Sequence, residues 1–185
     1  MIKKLILLGA DVNRKNFFNN TPLHEIARDD KNLDLVKFLI EHGANVNATD
    51  DDEGSTPLHI AATNGCKKMI RLLISHGVDI NSKDRDGKTC LHWAAINNKK
   101  AMAEFLISLG ANVNAKDSEG LTPLHLATMN NSTKVAKCLI AHGADIKAKN
   151  DYGKTPLFCS RKFKRPKMAD ILIENGAKKR GKSKK

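Results

Sequence analysis

The sequence predicts an all-α protein built from short helix pairs stacked in a row, and three observations support this fold class. A phrase of the pattern Thr-Pro-Leu-His recurs five times at intervals of 35, 33, 33 and 33 residues, with Cys90 and Phe158 as single departures from the pattern. A second phrase, Leu-Ile followed by a Gly, recurs six times in step with the first. The chain is 41% hydrophobic but only 4% aromatic, so its core must be aliphatic, which suits short helices better than a β-sandwich. Units of this size cannot bury their apolar faces alone, but stacked neighbours can.

The first recurring phrase predicts the start of a helix. Thr can cap free backbone N–H groups, and Pro fits the first helical position, where its missing N–H had no partner. The leucine in third place is expected to point inward with the alanines that follow, whose small size lets neighbouring helices approach closely. The five copies begin at Thr21, Thr56, Thr89, Thr122 and Thr155.

The second phrase predicts the end of an amphipathic helix. Apolar residues recur at helical spacing, as in Val36, Leu39 and Ile40, and a polar column containing Lys37 runs between them. Each helix is expected to end at a glycine in the left-handed conformation. These glycines are Gly9, Gly43, Gly77, Gly110, Gly143 and Gly176.

A turn joins each helix pair to the next. One aliphatic residue of this segment is expected to be buried, namely Val12, Val46, Ile80, Val113 or Ile146. The turn then closes on Gly54, Gly87, Gly120 or Gly153. In the first turn Asn19 takes that place, because Asn tolerates a positive φ better than most residues. The two extra residues of the 35-residue interval are assigned to the stretch 27–34 and to the acidic stretch 50–53.

This spacing divides the chain into a series of repeats. The first, 1–13, contains only a second helix, and the last, 148–177, is interpreted as a C-terminal cap followed by a basic disordered tail, 178–185. The four complete repeats between them are 14–47, 48–81, 82–114 and 115–147.

The pattern resembles the ankyrin repeat family, which repeats Thr-Pro-Leu-His-x-Ala with a period of 33 residues. The similarity runs from Met1 to about Ala177. It implies a solenoid of antiparallel helix pairs with β-hairpin-like turns projecting to one side. It also implies that the turn tips and the exposed surface of the first helices contact protein partners.

Both ends depart from the family pattern. The first repeat lacks its opening helix, so Leu5, Leu7 and Leu8 are expected to leave an apolar face uncovered. Either the chain is cut from a longer protein or this face packs on something. In the last repeat Phe158 replaces the histidine, and Pro166 falls near the start of the second helix. This polar repeat is expected to have a distorted first helix.

The residues that could serve catalysis or bind a metal or phosphate are better explained by structural roles. All seven histidines occupy repeated positions, where hydrogen bonds are expected to tie loops to helix starts, whereas an active site needs an unrepeated constellation. The acidic stretch 50–53 lacks the alternating ligands of a calcium loop. Cys66 and Cys138 are nucleophiles only in principle, and no glycine run forms a phosphate loop. The sequence therefore predicts no enzyme, cofactor, metal or small-molecule substrate.

The sequence instead predicts a rigid scaffold that binds a protein partner of unknown identity. The contacts are expected from aligned turn-tip and first-helix positions, with Trp93 placed either at the edge of the core or as a binding anchor. The turn-tip residues are Phe17, Phe18, Asp52, Glu53, Arg85, Asp86, Ser118, Glu119, Asp151 and Tyr152. The first-helix residues are Arg28, Ile96 and Met129.

Charge favours a second hypothesis. The net charge is +12, and residues 161–185 hold 11 Lys/Arg against 2 Asp/Glu. The tail is either a solvated extension or a basic segment that contacts nucleic acid or acidic membrane, or directs nuclear import. Its basic residues are Lys178, Lys179, Arg180, Lys182, Lys184 and Lys185. Four cysteines without a Cys-x-x-Cys pair favour an intracellular protein, in the cytoplasm or the nucleus. Richness in Lys, Asn and Ile, which is typical of an A/T-rich coding sequence, leaves an effector in a host cell as a further alternative.

Overall fold

A computed structural model describes residues 2–177 of the chain. Within this range the protein contains eleven α-helices and no β-strand, which confirms the predicted all-α class. None of these helices combines the length and the apolar character needed to cross a bilayer. The predicted basic tail, 178–185, lies outside the described residues.

The chain divides into two compact units, Met1–Cys90 and Leu91–Lys185. The helices of the first are α1 (Ile2–Leu7), α2 (Pro22–Ile26), α3 (Leu33–Glu41), α4 (Pro57–Asn64) and α5 (Lys67–Ser75). Helix α6 (Cys90–Ile96) begins at the boundary. The second unit continues with α7 (Lys100–Ser108), α8 (Pro123–Met129), α9 (Thr133–Ala141), α10 (Pro156–Lys162) and α11 (Pro166–Glu174).

Within each unit the helices stack as repeated pairs. In the first unit α2 packs against its partner α3 and against α4, the first helix of the next repeat. In the second unit α8 packs in the same way against α9 and α10. Each repeat thus buries its apolar surface against a neighbour, as the 33-residue period predicts.

The first helices begin where the sequence predicts. Thr56 has extended backbone angles, φ −95° and ψ 166°, and Pro57 follows at the first position of α4. Thr122 and Pro123 repeat this geometry at α8. The following leucines point into the core, and Leu58 and Leu124 are fully buried.

Left-handed residues end the helices. Gly43 has φ +88° and Gly143 has φ +84°, and Asn19 takes φ +57° in the first turn, all as predicted. A further left-handed position joins the first helix of a repeat to its second helix, and the sequence analysis did not identify it. Gly65, Asn98, Asn131 and Lys164 occupy it.

The predicted burial of one aliphatic residue per turn is mostly wrong. Val12 is buried, but Val46, Ile80, Val113 and Ile146 are only half-buried. From Gly43 onward the residue directly after each helix-ending glycine is buried instead, as at Ala44 and Val78, whereas Ala10 after Gly9 is exposed. Its N–H bonds back to the carbonyl five residues earlier, at 2.9 Å for Ala44 to Leu39, which turns its side chain onto the helix end.

The predictions for the two ends of the described chain have different outcomes. Helix α1 has no buried residue, and Leu7 and Leu8 are 68% and 74% exposed, as expected. The prediction that the first helix of the last repeat is distorted is wrong, because this helix, α10, has seven residues like α8. Thr155 Oγ1 accepts the N–H of Phe158 at 3.3 Å and so preserves the cap.

Candidate functional site

The histidine of each Thr-Pro-Leu-His phrase joins two repeats. Nδ1 of His125 accepts the backbone N–H of Thr122 at 3.2 Å, and its Nε2 lies 3.0 Å from the carbonyl oxygen of Lys154 in the next turn. Because Nδ1 accepts a hydrogen bond, the ring proton is on Nε2, which donates to that carbonyl. His24 makes the same pair of contacts with Thr21 and Ser55.

Burial suits these rings to a structural role. It lowers the pKa of His24, His59 and His125 below the ordinary value for histidine, because the charged form loses its hydration. In the neutral ring both nitrogens already have partners. These histidines therefore tie turns to helix starts, as expected.

The other three histidines do something different from what the sequence predicted. Nδ1 of His42 lies 2.8 Å from the carbonyl of Phe38, and His76 and His142 are placed in the same way over Leu72 and Cys138. Each ring caps the C-terminus of its own helix instead of reaching a helix start. The carbonyls of Phe38 and Cys138 also accept the backbone N–H of the same histidine, so the ring adds a second donor at the end of the helix.

The cysteines lack the environment of a nucleophile. The structure places Sγ of Cys138 3.8 Å from Nδ1 of His142, a pairing that the sequence analysis missed. Burial nevertheless raises the pKa of the Cys66, Cys138 and Cys159 thiols, and that of Cys90 to about 12. Since the thiolate is the reactive form, these thiols favour packing over chemistry.

The acidic stretch 50–53 builds a turn. Oδ1 of Asp50 accepts the N–H groups of Glu53 and Ser55 at 3.1 and 3.0 Å. Asp51 pairs with Lys15 at 2.9 Å. Across residues 2–177, no group of three or more His, Cys, Asp or Glu side chains is arranged to hold a metal ion.

Consecutive turns are held together by backbone contacts. In the first unit the N–H of Arg85 donates to the carbonyl of Glu53 at 2.9 Å, and Nη1 of Arg85 donates to the carbonyl of Asp52 at 2.7 Å. In the second unit the N–H of Asp151 donates to the carbonyl of Glu119 at 3.1 Å. The predicted contact residues thus also hold neighbouring turn tips in position relative to each other.

Aromatic side chains project from two of the tips. Phe17 and Phe18 are 94% and 68% exposed, and their rings pack edge to face with centroids 5.7 Å apart. Tyr152 is 68% exposed. The remaining tip residues Asp52, Glu53, Arg85, Asp86, Ser118, Glu119 and Asp151 are also exposed.

The predicted first-helix residues are less uniform. Arg28 is exposed, but it lies in the turn two residues after the end of α2 and not on the helix, and it pairs with Glu25 of α2 at 3.2 Å. Trp93, Ile96 and Met129 are half-buried. Each therefore presents only part of its side chain to the surface.

A cleft of about 410 Å³ in the second unit brings some of these residues together. Glu119, Met129 and Tyr152 were predicted from the sequence. The other lining residues were not predicted, and the only sequence signal among them was the replacement of the repeated histidine by Phe158. They are Leu121, Asn150, Lys154, Phe158, Cys159, Lys162 and Phe163.

The chain matches a model of a known protein family. The family model described as ankyrin repeats (3 copies) matches residues 1–84 and 91–183. A comparison with curated protein sequences found no match.

Proposed function

The chain belongs to the ankyrin repeat family, and on that premise we propose that it is a non-enzymatic scaffold that binds a protein partner through its turn tips and first-helix surface. Ankyrin repeats are generally protein–protein interaction modules. The fold alone does not specify a function, so the proposal depends on the surface that these repeats present.

The observation that carries the proposal is the exposure of large apolar side chains on the tips. Phe17, Phe18 and Tyr152 give more than two thirds of their surfaces to solvent. Isolated apolar residues are ordinary on protein surfaces, but an adjacent aromatic pair at a tip is a favourable anchor for a partner's pocket. We assign these three residues, with Trp93, Ile96 and Met129, as apolar anchors.

Preorganisation favours binding by this surface. The hydrogen bonds of Arg85 to Glu53 and of Asp151 to Glu119 hold neighbouring tips in fixed positions within each unit. Ordering a flexible loop on binding costs free energy, and a tip that is already ordered avoids much of that cost. The polar tip residues then surround the anchors and supply specificity.

The affinity of the intact chain for proteins in a cell lysate tests this proposal. A Phe17→Ala, Phe18→Ala, Tyr152→Ala variant should lose the proteins that the parent chain retains, because its anchors are gone. A Lys37→Ala, Lys137→Ala variant is the matched control, since both lysines are exposed on second helices. Retention by the triple variant, or a loss only where urea denaturation shows unfolding, would contradict the assignment.

The basic C-terminal part supports a second candidate function, an adaptor that contacts nucleic acid or acidic membrane or enters the nucleus. Arg161, Lys164 and Lys167 are exposed, and no acidic side chain in the described range 2–177 forms an ion pair with them. Deletion of 178–185 tests this candidate. Binding to duplex DNA or anionic vesicles that falls steeply with salt and disappears on deletion supports it. Binding that is unchanged by the deletion argues against it.

A further inference from the structure

The cleft in the second unit combines an aromatic lining with a basic rim. It lies among the turns that contain Glu119 and Tyr152 and the first helices α8 and α10, and its volume of about 410 Å³ is typical of a ligand pocket. Three of its lining residues, Tyr152, Phe158 and Phe163, are aromatic, in a chain that has only eight aromatic residues.

Phe158 breaks the repeat pattern at a position with a defined structural task. The residue in this place is His24, His59, His92 or His125 in the other repeats, and its Nε2 bonds to a carbonyl of the following turn. Phe158 has no ring nitrogen to make that bond, and this half-buried side chain lines the cleft instead.

Phe163 breaks the pattern a second time. Its place is taken by Asn64, Asn97 and Asn130 in other repeats, and each of these amides donates to the carbonyl four residues earlier at 2.8 to 3.0 Å. Phe163 cannot form that bond, and its side chain is 38% exposed. Positions that give up a stabilising contact without a structural gain are expected at functional sites.

Tyr152 completes the aromatic lining from the turn. Its aligned counterparts are Phe18, Glu53, Asp86 and Glu119, of which three are acidic. With Phe158 and Phe163 it places three apolar surfaces on one cleft, where an apolar side chain of a partner loses water contact on several sides.

Two lysines set the charge of the rim. Nζ of Lys154 lies 4.6 Å from the ring centroid of Phe158, and Nζ of Lys162 lies 5.7 Å from that of Phe163. Both lysines line the cleft, and Glu119 is its one acidic lining residue. Residues 147–167 contain eight Lys/Arg against one Asp, so the surroundings attract a negatively charged segment.

We propose that this cleft binds an acidic peptide segment of the protein partner, which inserts a leucine or aromatic side chain between Tyr152, Phe158 and Phe163. Asp or Glu residues on either side of that anchor pair with Lys154 and Lys162. The inference rests on the proposed function, because it specifies the chemistry of the partner that the scaffold binds.

Selection of random peptides displayed on phage against the full chain tests the inference. The enriched peptides should contain a large apolar residue flanked by Asp or Glu. A synthetic fluorescent copy of the strongest one gives the affinity by anisotropy. The affinity should fall at least about tenfold in the Phe158→His, Phe163→Asn double variant and in the Lys154→Gln, Lys162→Gln variant.

The double variant is designed to fold, because it restores the residues that the other repeats use. The Lys37→Ala, Lys137→Ala variant is the control, since it alters exposed residues of second helices outside the cleft and should keep the affinity for the peptide. Enrichment of basic or purely apolar peptides overturns the inference. Equal affinity of the peptide for the parent chain and for the Phe158→His, Phe163→Asn variant overturns it as well. Loss of lysate proteins by the Phe17→Ala, Phe18→Ala, Tyr152→Ala variant would still support the scaffold in that event, so the two failures are distinguishable.

Discussion

At the residue scale, one buried histidine connects two repeats. The ring of His125 accepts from Thr122 and donates to Lys154, and it is fully buried. His125→Ala leaves both backbone groups without these partners, and we expect a loss of about 2–4 kcal/mol in the free energy of unfolding by urea. His142→Ala removes only an exposed cap and should cost less than about 1 kcal/mol. Equal losses would contradict the bridging role.

The buried histidines also predict how stability depends on pH. Burial lowers the pKa of His24, His59 and His125 in the folded chain, so the unfolded chain binds more protons below about pH 6.5. Their contribution is complete above that pH and is lost as the pH falls. The urea midpoint should therefore be lower at pH 5.5 than at pH 7.5, and His125→Gln should reduce the difference. A higher midpoint at pH 5.5 would be inconsistent with these shifts.

Glycines at the turns provide a test of tip packing. Gly120 and Gly153 have nearly the same φ, +70° and +67°. A Cβ at Gly120 would lie 2.8 Å from the backbone nitrogen of Asp151, whereas one at Gly153 meets nothing within 4 Å. Gly153→Ala should cost about 1 kcal/mol for the left-handed conformation alone, and Gly120→Ala about 1–3 kcal/mol more, by urea denaturation. Equal costs would show that the tips do not pack closely.

Residue roles were predictable where backbone geometry restricts the choice of residue. The helix-ending glycines and Asn19 occupy positions with positive φ. Few other residues tolerate this conformation, so the spacing of these residues revealed the turns. Lys164 takes φ +54° although its side chain gives no indication of it. The caps formed by His42, His76 and His142 were also missed, because a histidine before a glycine does not show which carbonyl it faces.

At the element scale, α10 provides a prediction about helix ends. The amide of Asn130 bonds to Leu126 at the end of α8, and Phe163 has no such group at the end of α10. Phe163→Asn should fold at least as stably as the parent, with a gain of up to about 1 kcal/mol from the restored cap. Phe163→Ala, which adds no donor, is the control in the same urea experiment. Lower stability of the asparagine variant than of the alanine variant would contradict this account.

Helix type and position followed from periodicity, but finer burial did not. The column of Val36 and Leu39 is fully buried, as its 3.6-residue spacing predicts. The turn aliphatics were misassigned because a turn has no such spacing, and the backbone bond from Ala44 to Leu39 decides which side chain meets the core. The undistorted α10 shows the same limit, since the Thr155 cap outweighs the unusual residues that follow it.

At the scale of the whole molecule, the repeat family was readable from the sequence and the cleft was not. The family match covers residues in both units, 1–84 and 91–183, because the period is a property of sequence alone. The cleft depends on which side chains of two turns and two helices converge. Tyr152 and Met129 were predicted as exposed positions, but Lys154 and Phe163 belong to the cleft only through the packing of α8 and α10.

Hydrogen–deuterium exchange of the free chain and of the chain bound to a captured partner tests the central claim most directly. If the protein is a scaffold that binds through its tips and first helices, the partner should slow exchange at the turns around 17–18, 85–86, 118–119 and 151–152. Exchange should remain unchanged in the second helices α3, α5 and α9. Protection concentrated in those second helices, with the turns unaffected, would contradict the account.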